Sequence, residues 1–244
     1  MQVEQRIEMR SKIMNRLKNL FTGLLFLLSL LSASDQRVRT LGGNPLYWPE
    51  DDSNIEYFPQ LMNNYNIAQV SGIGGSSDSL YGKLIWGDDT KYGFSWYEAV
   101  DHDMLNIYMG TGSLGLRLGL LSSGADTSSS NKETSELGLS GSVGINNDDM
   151  DIGLHVSTYS SDDGTTADQH ERFKTDLYLR TAMDVWIFNN MAASFHYASS
   201  NDGFDDNVSP VTFDLTLMQA NLGFFNTIEI SDNATAMLAI STSF

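Results

Sequence analysis

The chain has 244 residues, with 14 Lys and Arg against 31 Asp and Glu, and no Cys. A net charge of −17 at pH 7 makes it a poor partner for nucleic acid, whose affinity rests on Lys and Arg displacing phosphate counterions. The missing Cys excludes disulfide frameworks, thiolate metal sites and thiol nucleophiles, while 41% hydrophobic and 11% aromatic residues argue against disorder.

The first 34 residues read as an export signal. Arg6, Arg10, Lys12, Arg16 and Lys18 precede the apolar run 20–31, and Ser32-Ala33-Ser34 supplies small residues at a cleavage site. The run is shorter than the roughly 20 residues a spanning helix needs. Met14 offers a second start with a conventional basic region of its own. Without residues 1–34 the chain keeps 9 Lys and Arg and 29 Asp and Glu, and has no long apolar stretch. Any membrane crossing then falls to β-strands.

Residues 35–65 stand apart as an N-terminal segment. From about residue 66 apolar and polar residues alternate, as in Leu114, Leu116, Leu118 and Leu120 with Gly115, Arg117 and Gly119 between them. Period two over such lengths predicts strands with one apolar and one polar face. The expected strands lie near 66–74, 79–87, 91–98, 104–110, 113–122, 135–145, 149–159, 171–183, 189–199, 211–225 and 234–244. Thr111-Gly112 and 146–148 read as tight turns, whereas 123–134, 160–170 and 200–210 read as long polar loops. Short turns at one end and long loops at the other are the layout of an outer-membrane barrel.

The polar face gathers Lys83, Lys91, Arg117, Asp151, His155, Arg172, Lys174, Asp176, Arg180, His196 and Asp214. Gly and Ser share that face, and bulky Leu, Phe, Trp and Met take the other. A lumen filled by small and paired polar groups, with hydrocarbon outside, accounts for the sorting. Trp86, Tyr92, Trp96, Trp186, Phe188 and Tyr197 sit near expected strand ends, where an interfacial aromatic girdle belongs.

The last nine residues, Ala236 to Phe244, resemble the final strand of bacterial outer-membrane β-barrel proteins, with Leu238, Ile240 and the terminal Phe244 in phase. That resemblance implies insertion by the barrel assembly machinery through Phe244. Leu41-Gly42-Gly43, Asp51-Asp52 and Phe58-Pro59 resemble the plug region of long-chain fatty-acid outer-membrane transporters, which implies that 35–65 folds inside or beneath a barrel, a poorly ordered periplasmic leader being the alternative. Asp101-x-Asp103 and Asp168-x-His170 resemble the outer-loop pairs of omptin proteases, which would have Asp168 and His170 activate water. His196, Ser199 and Asn201 bear a distant likeness to the His-Ser-Asn site of outer-membrane phospholipases, at a different spacing.

The expected architecture is an all-β, antiparallel transmembrane barrel over 66–244 of about 12 strands (range 10–14), with 35–65 as plug. Its expected function is a porin-like channel for small hydrophilic solutes, with a pore-less structural or adhesive barrel as the alternative. A protease or a transporter of hydrophobic compounds ranks behind both. The expected partners are outer-membrane lipid and lipopolysaccharide. Acidic loops at Asp101, Asp103, Asp162-Asp163, Asp202 and Asp205-Asp206 would attract divalent cations. No resident metal, cofactor or catalytic role is expected.

Overall fold

The computed structural model describes residues 44–49, 51–71, 80–97, 105–127, 132–147, 149–162, 169–204, 211–231 and 234–244. The export signal, Leu41-Gly42-Gly43, Asp101, Asp103, Asp163, Asp168, Asp205 and Asp206 lie outside them.

Alternation becomes strand throughout. β1 (Ile67–Ser71), β2 (Tyr81–Gly87), β3 (Thr90–Tyr97) and β4 (Leu105–Thr111) are short. β5 (Leu114–Thr127), β6 (Lys132–Asn147), β7 (Met150–Asp162), β8 (Gln169–Val185), β9 (Phe188–Phe204) and β10 (Val211–Ser231) are long, and β11 (Ala234–Ser243) closes the series. All 11 pair antiparallel with their sequence neighbours in one sheet. Two residues separate β2 from β3, β4 from β5, β6 from β7, β8 from β9 and β10 from β11, so every short connection falls at one end. Gly112, at φ 54°, supplies the left-handed backbone that one such turn requires.

Two expectations change. Among the described residues the count of 11 lies within the expected range, but the pairings run from β1 to β11 and do not join them, so the sheet is not closed. Several segments read as polar loop are strand instead. β5 and β6 stay paired out to Thr127 and Lys132. A polar sequence is no bar to a strand whose neighbour supplies the ladder, because strand preference is set by context.

One face of the sheet is covered by residues 44–66, which form three short 3₁₀ turns, Pro45–Tyr47, Asp52–Glu56 and Pro59–Asn64. Asn44 and Asp51 cap the first two by accepting from the backbone N–H groups of Leu46 and Ser53. Leu46, Ile55, Phe58, Leu61 and Met62 bury their side chains against Ile85, Tyr108, Tyr178, Ala192 and Phe225 of the sheet. The opposite face carries exposed apolar side chains, among them Ile107, Leu118, Leu139, Leu154 and Ile240.

The contacts of this segment force the sheet to curl. Glu56 lies 2.7 Å from both Lys83 on β2 and Arg117 on β5. Asn54, two residues earlier, accepts from Arg180 on β8 at 3.2 Å. Six strand spacings of about 4.8 Å separate β2 from β8 in a flat sheet, far beyond the reach of side chains two residues apart. The covered face is therefore the inside of a strong curve.

Glycines make room for the segment. A Cβ at Gly153 would meet the carbonyl oxygen of Tyr57, and at Gly115 the backbone of Pro59 and Gln60, whereas at Gly141 the nearest atom is 3.9 Å away. Gly153→Val is expected to destabilise the protein by about 1–3 kcal/mol, as overpacking does, and to expose 44–66 to protease. Gly141→Ala should leave both the unfolding midpoint and the cleavage pattern unchanged.

Candidate functional site

The inner face is fixed by register. Lys83 pairs with Ser95, Asn106 with Gly119, Tyr108 with Arg117, Arg117 with Ser142, and Ser142 with His155. Continuing, His155 opposes Asp176, Asp176 opposes His196, and Asp151 opposes Arg180. Of the residues expected on the polar side, Lys83, Lys91, Asp151, His155, Asp176 and Arg180 are buried and Arg117 and His196 half-buried. Arg172 and Lys174 share the face but are exposed, higher up toward the longer connections.

Asp214 departs from expectation. β10 pairs with β9 without a register shift, and Asp214 sits opposite Asn201, which puts it on the face of Phe195 rather than that of His196. The same register turns Phe213, Leu215 and Leu217 inward, although Gln219, Asn221 and Gly223 follow in the same phase. Polarity exchanges faces along β10 with no bulge in the described ladder to mark it, so local pattern misleads there.

Three polar clusters occupy the inner face. In the first, Glu56 accepts from Lys83 Nζ and Arg117 Nη1, each at 2.7 Å, and from the Tyr108 hydroxyl at 3.3 Å. Arg117 also donates to Ser142 Oγ, which bonds His155 Nδ1 at 2.8 Å, and His155 Nε2 meets the Tyr57 carbonyl oxygen at 2.8 Å. Since a carbonyl only accepts, Nε2 carries the proton in that bond.

In the second cluster Arg180 donates through Nη2 and Nε to Asp151 Oδ2, at 2.6 and 3.1 Å. Two N–H groups of the guanidinium thus converge on one charged oxygen, and hydrogen bonds between ionised partners are the strong ones. Gln60 and Asn146 donate to Asp151 Oδ1, each at 2.9 Å, so both oxygens are satisfied. The Arg180 guanidinium also lies 4.8 Å from the Phe58 ring centroid.

The third cluster runs across β8, β9 and β10. Asp176 Oδ1 lies 2.8 Å from His196 Nδ1, and His196 Nε2 lies 2.9 Å from Ser194 Oγ. Lys174 pairs with the other Asp176 oxygen at 3.0 Å. Asn221 Nδ2 donates to Ser194 Oγ at 3.0 Å, and Gln219 donates to Asn221 Oδ1 at 3.1 Å. Ser199 and Asn201 are on the opposite face, so the phospholipase-like trio His196, Ser199 and Asn201 does not assemble. Above the cluster lies a cavity of about 520 Å³ lined by Leu121, Tyr159, Arg172, Lys174, Leu215 and Leu217.

Glu56, Asn54 and Gln60 were invisible as partners because their sequence separation from the strands is large. Ser194 carried one signal, the i, i+2 spacing to His196 that puts both on one face of a strand. Among the described residues no group of three or more His, Asp and Glu could hold a metal ion. No protein family matches this chain, and comparison with curated proteins and with solved structures found no match.

Burial alone would raise the Glu56 carboxyl, but Lys83 and Arg117 outweigh it and hold it at about 2, against 4.5 when free. A lowered folded value means the carboxylate contributes fully above 4.5 and loses its contribution as pH falls from there through about 2. With 39% of the Glu56 side chain exposed, solvent screens part of that effect. Protease sensitivity of 44–66 is accordingly expected to rise between pH 4.5 and 2 in the native protein, with Glu56→Gln showing a flatter response. Removing Asp151 leaves Arg180 buried without its partner, so Asp151→Ala should cost about 3–5 kcal/mol by denaturant unfolding. Lys174→Ala, at a side chain 54% exposed, should cost under about 1 kcal/mol.

Proposed function

We propose that this chain is an outer-membrane β-barrel protein in which residues 44–66 act as a plug, and that small hydrophilic solutes pass only when the plug leaves its seat. The observation that carries the reading is Glu56, which binds Lys83 of β2 and Arg117 of β5 while Asn54 beside it binds Arg180 of β8. A segment tied to strands on opposite sides of a curled sheet occupies the space a channel would need.

The apolar outer face supports the membrane half of the proposal. Ile107, Leu118, Leu139 and Ile240 are each more than half exposed, and Leu118 reaches 67%. In water a band of this kind drives association, whereas against lipid it is the outer surface a spanning barrel needs. No helix among the described residues is long and apolar enough to cross a membrane. The short turns at a single end correspond to the periplasmic side of such barrels, and the plug lies there, with Asn63 donating to the Gly112 and Leu114 carbonyls.

Closure would join β1 to β11. An odd number of alternating strands leaves the first and last pointing the same way, so this seam is parallel. Phe244 extends the last strand, exchanging backbone hydrogen bonds with Ala220, and in this reading the assembly machinery engages it there. Lipid and lipopolysaccharide surround the apolar band, and divalent cations bridge the acidic connections to anionic headgroups.

Purified protein in planar bilayers should show a low, infrequent conductance, and Glu56→Ala combined with Asp151→Asn should raise the open fraction roughly tenfold or more. Steady conductance by the unaltered protein that these substitutions leave unchanged would overturn the plug. Release from cells without detergent, with no heat-dependent shift in gel mobility, would overturn the barrel.

A further inference from the structure

We propose that Ser194, His196 and Asp176 form a serine-nucleophile site on the inner face that cleaves small carboxylic esters entering from the cavity above it. The geometry of the third cluster is the same whether or not the sheet is a membrane barrel.

A weak nucleophile such as a serine hydroxyl needs an adjacent base, and the base needs a third group to fix its tautomer. Here the order is complete and the atoms are the right ones. Ionised Asp176 only accepts, so the proton between it and His196 sits on Nδ1. With that proton on Nδ1, the neutral form of the imidazole presents Nε2 as an acceptor to the Ser194 hydroxyl, 2.9 Å away. Asp176 is a positioning residue, held in place by Lys174 at 3.0 Å.

A fourth group answers the charge that acyl transfer develops. Gln219 donates to the Asn221 amide oxygen, which turns Nδ2 of Asn221 toward Ser194 Oγ at 3.0 Å. A carbonyl oxygen becoming an oxyanion beside Ser194 would receive that donor. The bland alternative is lumen filling, in which buried polar groups simply satisfy one another. Filling requires no particular nitrogen of His196 to face the serine.

Access is from above. Arg180 and Ala192, paired across β8 and β9, lie beneath residues 44–66, Tyr178 and Ser194 form the next row, Asp176 and His196 the row above, and Lys174 and Ala198 border the cavity. Ser194 is only 7% exposed and the His196 side chain 24%, and the nearest walls of the cavity, Lys174 and Ala198, stand one row above His196 on the same face. The apolar wall of Leu121, Leu215 and Leu217 suits a short acyl group.

In the reaction Ser194 Oγ bonds to the ester carbonyl carbon while its proton passes to His196 Nε2. The bond from carbon to the alcohol oxygen then breaks, and the alcohol leaves with that proton. Water next adds to the acyl carbon and gives a proton to Nε2. The bond from carbon to Ser194 Oγ breaks, the acid departs, and Nε2 returns the proton to Oγ.

The test uses the full chain in detergent with p-nitrophenyl butyrate and a fluorophosphonate label. Label on Ser194 and a fall in kcat/KM of roughly 10³-fold in Ser194→Ala and His196→Gln are expected. Asp176→Asn should also shift the pH profile, and Asn221→Ala should lower kcat with little change in KM. Gly141→Ala, on the opposite face and away from the cavity, should match the unaltered protein. Absence of label on Ser194 in a chain whose β-sheet circular dichroism is intact, or turnover indifferent to Ser194→Ala, would overturn the proposal. Neither result bears on the plug, which conductance tests separately.

Discussion

Everything inside this sheet depends on the pairing of charge across its curve. Glu56 joins Lys83 to Arg117, and Asp151 holds Arg180 through two hydrogen bonds. Each cation has little exposed surface, and a charge out of water persists only with a partner close by. Removing the segment would take the Glu56 carboxylate from Lys83 and Arg117, and the Asn54 and Gln60 amides from Arg180 and Asp151. The segment and the strands are thus one structure, although they are separate in sequence character.

Shape and chemistry reinforce one another there. Glycines at 115, 144 and 153 leave no Cβ where the backbone or side chains of residues 57–60 approach, and the same absence of side chains lets the sheet bend inward. Aromatic rings fill what the glycines leave open. Tyr57 meets Tyr178 edge to face at 5.0 Å, and Tyr47 meets Phe225 at 5.2 Å. Packing of this kind fills the inner face toward the short turns, while the other end keeps a cavity lined by both cations and leucines. The division explains why one face supports two proposals, a closed passage below and a reactive hydroxyl beside the open space above.

Much of this was legible in the residues. Alternation located all 11 strands, because a pleated backbone sends successive side chains to opposite faces whatever the tertiary surroundings. The polar side of Lys83, Arg117, Asp151, His155, Asp176, Arg180 and His196 followed from the same rule. It failed at Asp214, where β10 exchanges the polarity of its faces between Leu217 and Gln219, and at Ser123 to Thr127, where small polar residues hide a strand that its neighbour stabilises.

By itself the sequence determined periodicity, turn positions and the sorting of bulky from small side chains, since each is a local property of the backbone. The tertiary structure alone decided that Asn54, Glu56 and Gln60 meet β2, β5, β7 and β8, and that Ser194 lies against His196 Nε2 with Asn221 behind it. Those meetings depend on curvature and register summed over many strands, and no short stretch of chain carries that sum.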